Sequence, residues 1–221
     1  MKLYYSNGSP YARKVRVVLH ELGLEYERDV VDVVRPVDEM PGPTLAIPLL
    51  EDKGHQIWES DLIVEYLLAT YGPAAAPAEG LPLAPWLARP EHRWADLLLL
   101  STIGTYANSM INLRLMVVDG ITPENSDYMA RQRERVYRCL DWLEARVTPE
   151  GFLPGWLSVQ DLSFVCSTVY CEVRDVMPWR GRPKLEALYE RCQSRPSMLA
   201  TPINAFPPIR PRYLIERRPA P

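Results

Sequence analysis

Cysteine is scarce in this chain and poorly placed for metal or redox work. Cys139, Cys166, Cys171 and Cys192 all fall in the second half and form no C-x-x-C pair, so they read as small buried thiols on helices. Histidine is scarcer still. His20, His55 and His92 stand at no metal-ligand spacing, and no metal is expected. No apolar run approaches about 18 residues, so no membrane-spanning helix and no membrane partner is expected. The start, MKLYYSNG, lacks the apolar core of a signal peptide, and the expected location is cytoplasmic. There is no G-x-G-x-x-G and no phosphate loop, which removes the common nucleotide-binding folds. Charge of one sign is lacking too: a net charge of -3 over 221 residues argues against nucleic acid as a partner.

What is present suffices for a packed core. Hydrophobic residues make up 47% and charged residues 24%, in the globular range for one large domain or two modest ones. Residues 2–5 (KLYY) read as a strand and 10–22 as a helix. Val15, Val18, Leu19 and Leu22 make its apolar face, with Arg13, Lys14 and Arg16 largely off it and Gly23 as its stop. A second strand is expected within 25–34, then a proline-rich irregular stretch over 35–46. "IPLLEDKGHQIWES" reads as a hairpin, Ile47–Glu51 with His55–Trp58, followed by a helix over 60–71. After the Pro/Ala/Gly segment strand signals nearly vanish. Helices are expected over 86–117, 123–147, 158–176 and 184–194, with a proline- and arginine-rich tail from Pro202 that includes Arg210, Arg212, Arg217 and Arg218. The fold class is therefore α/β plus all-α, with domains at 1–76 and 86–221 and a linker at 77–85.

Three short features carry chemistry. Ser9 is a good N-cap and Pro10 suits the first helical position. The pair is either a plain cap or a cap that sets a hydroxyl at a helix N-terminus, where an anion such as a thiolate is stabilised. Ile47-Pro48 opens the third strand. A cis bond there would turn the Ile47 backbone outward to pair with an extended peptide. Glu59-Ser60 begins the next helix, and is either a cap or a carboxylate site.

Each feature is ordinary alone; their order and spacing resemble the cytosolic glutathione transferase family, in its serine-type bacterial form. The resemblance covers nearly the whole chain. "YYSNGSPYARKVRVVLHELGL" resembles the family's first strand and helix, "IPLLEDKGHQIWESDLIVEYL" its glutathione-binding half, and "GFLPGWLSVQDLSF" its helical-domain folding motif, with Ser158 and Asp161 as an S-x-x-D capping box. It implies an N-terminal thioredoxin-like domain that holds glutathione and an all-helical domain that holds a small hydrophobic electrophile. Ile47, before a cis Pro48, would pair with the cysteinyl part of glutathione, and Glu59 and Ser60 with its γ-glutamyl end. Ser9 would donate to the sulfur, with Tyr5 as the alternative and Ser6 a further candidate. Tyr11, Tyr106 and Met110, with Leu113 or Arg114, would line the electrophile pocket. Trp86 and Trp94 are expected at the domain boundary. A homodimer is implied, meeting through the helices that start near Ser60 and Trp86.

The chain departs from the family where a lysine and a glycine are common before the cis proline. Ala46 and Leu45 stand there, leaving Arg35 or Lys53 to meet the glycine carboxylate of glutathione. The implied activity is glutathione transfer, in a detoxification role. The alternatives are a glutathione-dependent disulfide or peroxide reductase, and a non-catalytic binding protein on the same scaffold.

Overall fold

The computed structural model describes residues 1–31, 42–72, 80–86 and 88–203. Arg35, most of the 35–46 stretch, most of the tail with its arginines, and part of the 77–85 linker lie outside them.

A four-stranded mixed sheet comes first. Its strands are β1 (Lys2–Tyr5), β2 (Glu27–Val30), β3 (Leu49–Asp52) and β4 (His55–Trp58), in the order β2-β1-β3-β4. β1 runs parallel to β2 and antiparallel to β3, and β3 pairs antiparallel with β4. The β1–β2 crossover is helix α1 (Pro10–Glu21), and β4 leads into α2 (Ser60–Tyr71). Leu3, Val15, Leu19, Leu50, Ile63 and Leu67 from sheet and helices are fully buried together. This is a thioredoxin-like domain followed by a helical region: α3 (Arg93–Val118), α4 (Asp127–Glu144), α5 (Val159–Val173), α6 (Pro183–Gln193) and the short α7 (Pro196–Leu199).

The expected elements appear, with shifted ends. The second strand is only Glu27–Val30. α3 starts at Arg93 rather than at 86, because Pro90 has no N–H to continue a helix and the chain makes a 3₁₀ turn over Pro90–His92 first. α7 was not legible.

Arg13, Lys14 and Arg16 do not lie on a solvated face; all three are buried. The reason is that α1 is covered on several sides, packing on α2, α5 and α7. Arg13 donates to the carbonyls of Thr201 (2.7 Å) and Met198 (3.1 Å), Lys14 pairs with Asp61, and Arg16 lies 4.8 Å from the centre of the Tyr5 ring. A bidentate pair of Arg195 with Glu21, at 3.0 and 2.8 Å, ties the C-terminal segment to the same helix.

α5 is the central helix of the second region: Val159 through Cys171 are all buried. Phe164 on it meets the rings of Tyr106, Phe152 and Trp179 at 5.9, 6.3 and 6.4 Å. The Ser158–Asp161 capping box forms with both of its reciprocal bonds. The four cysteines are free and buried.

Candidate functional site

Strand register builds the site. Tyr4 pairs with Leu49, and Leu49 with Trp58. The end of β1, the start of β3 and the end of β4 therefore share one end of the sheet. Ser6–Ser9, Ile47–Pro48 and Glu59–Ser60 emerge there side by side, together with the N-termini of α1 and α2.

Ser9 caps α1: its Oγ accepts from Ala12 N at 3.2 Å, with Pro10 in the first turn. The hydroxyl proton goes to no acceptor among the described residues. The cap thus leaves one donor at the positive end of a helix. The loop before it is held on both sides. Ser6 Oγ accepts from Gly8 N at 3.2 Å, and Arg174 donates from Nη2 to the Gly8 carbonyl at 3.1 Å.

The Ile47-Pro48 bond is cis, with Ile47 half-buried and Pro48 buried. Glu59 caps α2 with its backbone only. It sits at φ 66 and makes no side-chain cap bond, so no Glu59 oxygen fills the N-terminus of α2. A non-glycine residue in that region of backbone space is sustained by its surroundings and often marks a ligand clamp. Ser60 is buried behind it. The Lys14–Asp61 ion pair joins the two helix starts.

Tyr11, one of the implied pocket residues, lies at this crevice. Its hydroxyl donates to Asn108 Oδ1 on α3. Burial, and then the charges of Asp61 and Glu59, hold its pKa above the ordinary tyrosine value. With Lys14, Asp61, Ile103, Gly104 and Ala107 it lines a narrow gap between α1 and the helical region. Tyr106 and Met110 are both fully buried in the helical core. Tyr106 shares a 3.1 Å hydrogen bond with Thr168 and stacks on Phe164, both on α5. Leu113 joins them in that core. Tyr5 is also buried in the domain core, beneath Arg16. Trp94 is 78% exposed and not at the domain boundary, whereas Trp86 packs partly against the core. Sequence reasoning missed Asn108 and Arg174; nothing in their local spacing marks them.

The departures at residues 45 and 46 have a structural face. Leu45 stands at φ 54, a conformation that suits glycine, and is half exposed; Ala46 is exposed. Leu45→Gly relieves about 1–2 kcal/mol of left-handed strain, against roughly 0.5–1 kcal/mol of added chain entropy. A rise of about 2 °C in melting temperature is expected by calorimetry; a fall would show that the Leu45 side chain packs usefully. Lys53 is turned away, its Nζ 4.5 Å from the centre of the Tyr71 ring. Among the described residues there is no group of three or more metal ligands, and no helix is long and apolar enough to cross a membrane.

Comparison with known proteins agrees with this geometry. Residues 3–76 match the family model of the glutathione S-transferase N-terminal domain. The chain is 27% identical to the uncharacterized GST-like protein YibF of Escherichia coli, over 91% of this chain and 98% of that protein. It superposes with a TM-score of 0.72 on a glutathione transferase family member from Pseudomonas fluorescens Pf-5 with bound glutathione, at 27% identity and covering 92% and 98% of the two chains. A second structure of a family member from that strain, with bound S-(propanoic acid)-glutathione, aligns at 28% identity and a TM-score of 0.68, covering 91% and 98%. Residues 3–76 therefore carry a glutathione S-transferase N-terminal domain, and the chain as a whole is similar in sequence and in fold to proteins of the glutathione S-transferase family.

Proposed function

We propose that this protein is a glutathione transferase. The observation that carries the reading is the register, which gathers Ser9, the cis Ile47-Pro48 peptide and the uncapped start of α2 at one end of the sheet. Glutathione lies across that end. The backbone of Ile47, next to Pro48, pairs with its cysteinyl part, and Glu59 and Ser60 take its γ-glutamyl group. The Ser9 hydroxyl donates to the sulfur, and the α1 dipole adds to the stabilisation of the thiolate. The sulfur then forms a bond to carbon in a small hydrophobic electrophile, and the displaced group leaves with its electron pair. The protein supplies a lowered thiol pKa and position, with no covalent intermediate of its own. The glutathione conjugate bound by the P. fluorescens family member supports space for a substituent at the sulfur.

On this reading the chain divides at residues 77–85. Residues 1–76 hold glutathione, and residues 86–221 supply the electrophile side through Tyr11's partner Asn108 and the neighbouring face of α3. The role is cytoplasmic detoxification.

Leu45 and Ala46 favour a second reading, a non-catalytic protein that keeps the scaffold. A titration with glutathione, read by the ultraviolet absorbance of the thiolate across pH, separates the two. A saturable thiolate signal at neutral pH supports the transferase; no binding at millimolar glutathione refutes it. A mechanism through a protein thiol is disfavoured, since burial pushes Cys171 up to about 11 and Cys192 up to about 12. A glutathionyl disulfide assay tests the reductase alternative.

The assembly we propose is a homodimer. Leu62 on α2 and Trp94 and Leu98 on α3 are exposed by 54%, 78% and 56%, more than isolated surface apolar residues require. Leu98 also borders a groove of about 500 Å³ along α3 and α4 that is rich in arginine. Sedimentation should give a dimer, and Trp94→Arg should shift it toward monomer. A monomeric wild type would remove the proposal.

A further inference from the structure

Arg114 lies about two turns beyond Ala107, on the face of α3 that meets the N-terminal domain. Its Nε is buried and has no hydrogen-bond partner. No carboxylate pairs with Arg114 among the described residues. A buried guanidinium N–H left without an acceptor is costly, and in a native protein it calls for a reason.

A second guanidinium stands near it. Arg174, at the C-terminal end of α5, donates to the Gly8 carbonyl at 3.1 Å and lies 4.1 Å from the centre of the Tyr170 ring. The α5 dipole favours a cation at that helix end. It gives no reason for a second cation beside the first. The two act on each other: burial, and then the charge of Arg114, lower the Arg174 pKa. Both also act on the Tyr170 hydroxyl, which in turn acts on Tyr11. Arg174 thus touches the loop that carries Ser9, and Arg114, also half-buried, stands within electrostatic reach of Arg174 and Tyr170. An anion would give the buried Arg114 Nε–H the acceptor it has not got, and the planar fork of arginine matches a carboxylate.

We propose that Arg114 and Arg174 form a carboxylate subsite beside the Ser9 loop, so that the electrophile is a small organic acid with an apolar body. This rests on the glutathione transferase reading above and names its substrate class. With an α,β-unsaturated acid, the thiolate sulfur bonds to the β-carbon, the π pair moves to the α-carbon, and that carbon takes a proton from water. No oxidant or reductant is needed. With a halogenated acid, the carbon–sulfur bond replaces the carbon–halogen bond and the halide leaves with its pair.

The test is calorimetric titration of the full-length protein with S-(2-carboxyethyl)glutathione and with uncharged S-propylglutathione. The wild type should bind the acid conjugate at least about tenfold more tightly, as a charge-assisted hydrogen bond predicts. Arg114→Gln should reduce that preference to about threefold or less, and Arg114→Lys should retain part of it. The readout is a ratio within one protein, so a general loss of folded material moves both affinities together. Equal binding of the two conjugates by the wild type, or a preference that survives Arg114→Gln, overturns the acid subsite and leaves the glutathione reading standing. No binding of either conjugate or of glutathione overturns both.

Discussion

Ser9→Ala is expected to lower kcat/KM for glutathione conjugation by about a hundredfold, in the range found when one preorganised donor to a developing anion is removed. The proposed hydrogen bond from Ser9 Oγ goes to a thiolate, and such charge-assisted bonds contribute about 1.5–3 kcal/mol. One pKa unit corresponds to about 1.4 kcal/mol, so the bound thiol should rise by roughly one to two units. The sign follows directly. The thiolate is the reactive form, so the rate climbs with pH through the thiol pKa, and the variant's acid limb should move to higher pH. The α1 dipole remains, which keeps the loss finite.

The same change removes the bond from Ala12 N to Ser9 Oγ at 3.2 Å, costing about 1 kcal/mol of stability. Ser9→Asp separates the two roles. Aspartate is as good a cap, so stability should return, but a second negative charge beside the sulfur should depress the rate further. Ser9→Thr keeps both hydroxyl and cap and should recover most of the activity. If Ser9→Ala conjugates at the wild-type rate with an unmoved acid limb, Ser9 is a cap and nothing more.

The parts of this site that the sequence disclosed are those whose meaning is local. A helix start is written in its cap and first turn, which is why Ser9-Pro10, Glu59-Ser60 and the Ser158–Asp161 box are legible in the sequence as helix starts. Hairpin and helix periods are local too, and β3, β4, α1 and α2 appear nearly where they were expected. What the sequence leaves open depends on which neighbour a face meets. Tyr106 and Met110 share an apolar face of α3, and spacing reports a face but not whether it meets a crevice or another helix. Tyr106 turns to Thr168, a partner 62 residues away. Arg13, Lys14 and Arg16 lie largely off the apolar face of α1, yet they are buried. Their partners, Met198, Thr201, Asp61 and the Tyr5 ring, arrive only through tertiary folding. Arg174 reaches Gly8 across 166 residues, and no motif announces that contact.

Asp161→Ala is expected to cost about 3–5 kcal/mol, a large share of the 5–15 kcal/mol typical of a folded protein. The carboxylate is only 1% exposed and takes three donors. Ser158 N and Ser158 Oγ reach Oδ2 at 2.9 and 2.7 Å, and Phe152 N reaches Oδ1 at 2.9 Å. Alanine leaves those donors buried without acceptors, at about 1–3 kcal/mol for each that finds no new partner. It also frees the chain entering α5, the helix on which the second region packs. Ser158→Ala removes only the cap half of the box and should cost nearer 1 kcal/mol. Gly151→Ala probes the same contact from the other side. At φ 122 a side chain is already strained, and a Cβ there would meet Asp161 Oδ1 at 2.8 Å. Urea unfolding should therefore rank the variants Ser158→Ala, then Gly151→Ala, then Asp161→Ala in order of increasing loss. A small loss for Asp161→Ala would mean that water enters to take the three donors, and that the box positions α5 without contributing much to its stability.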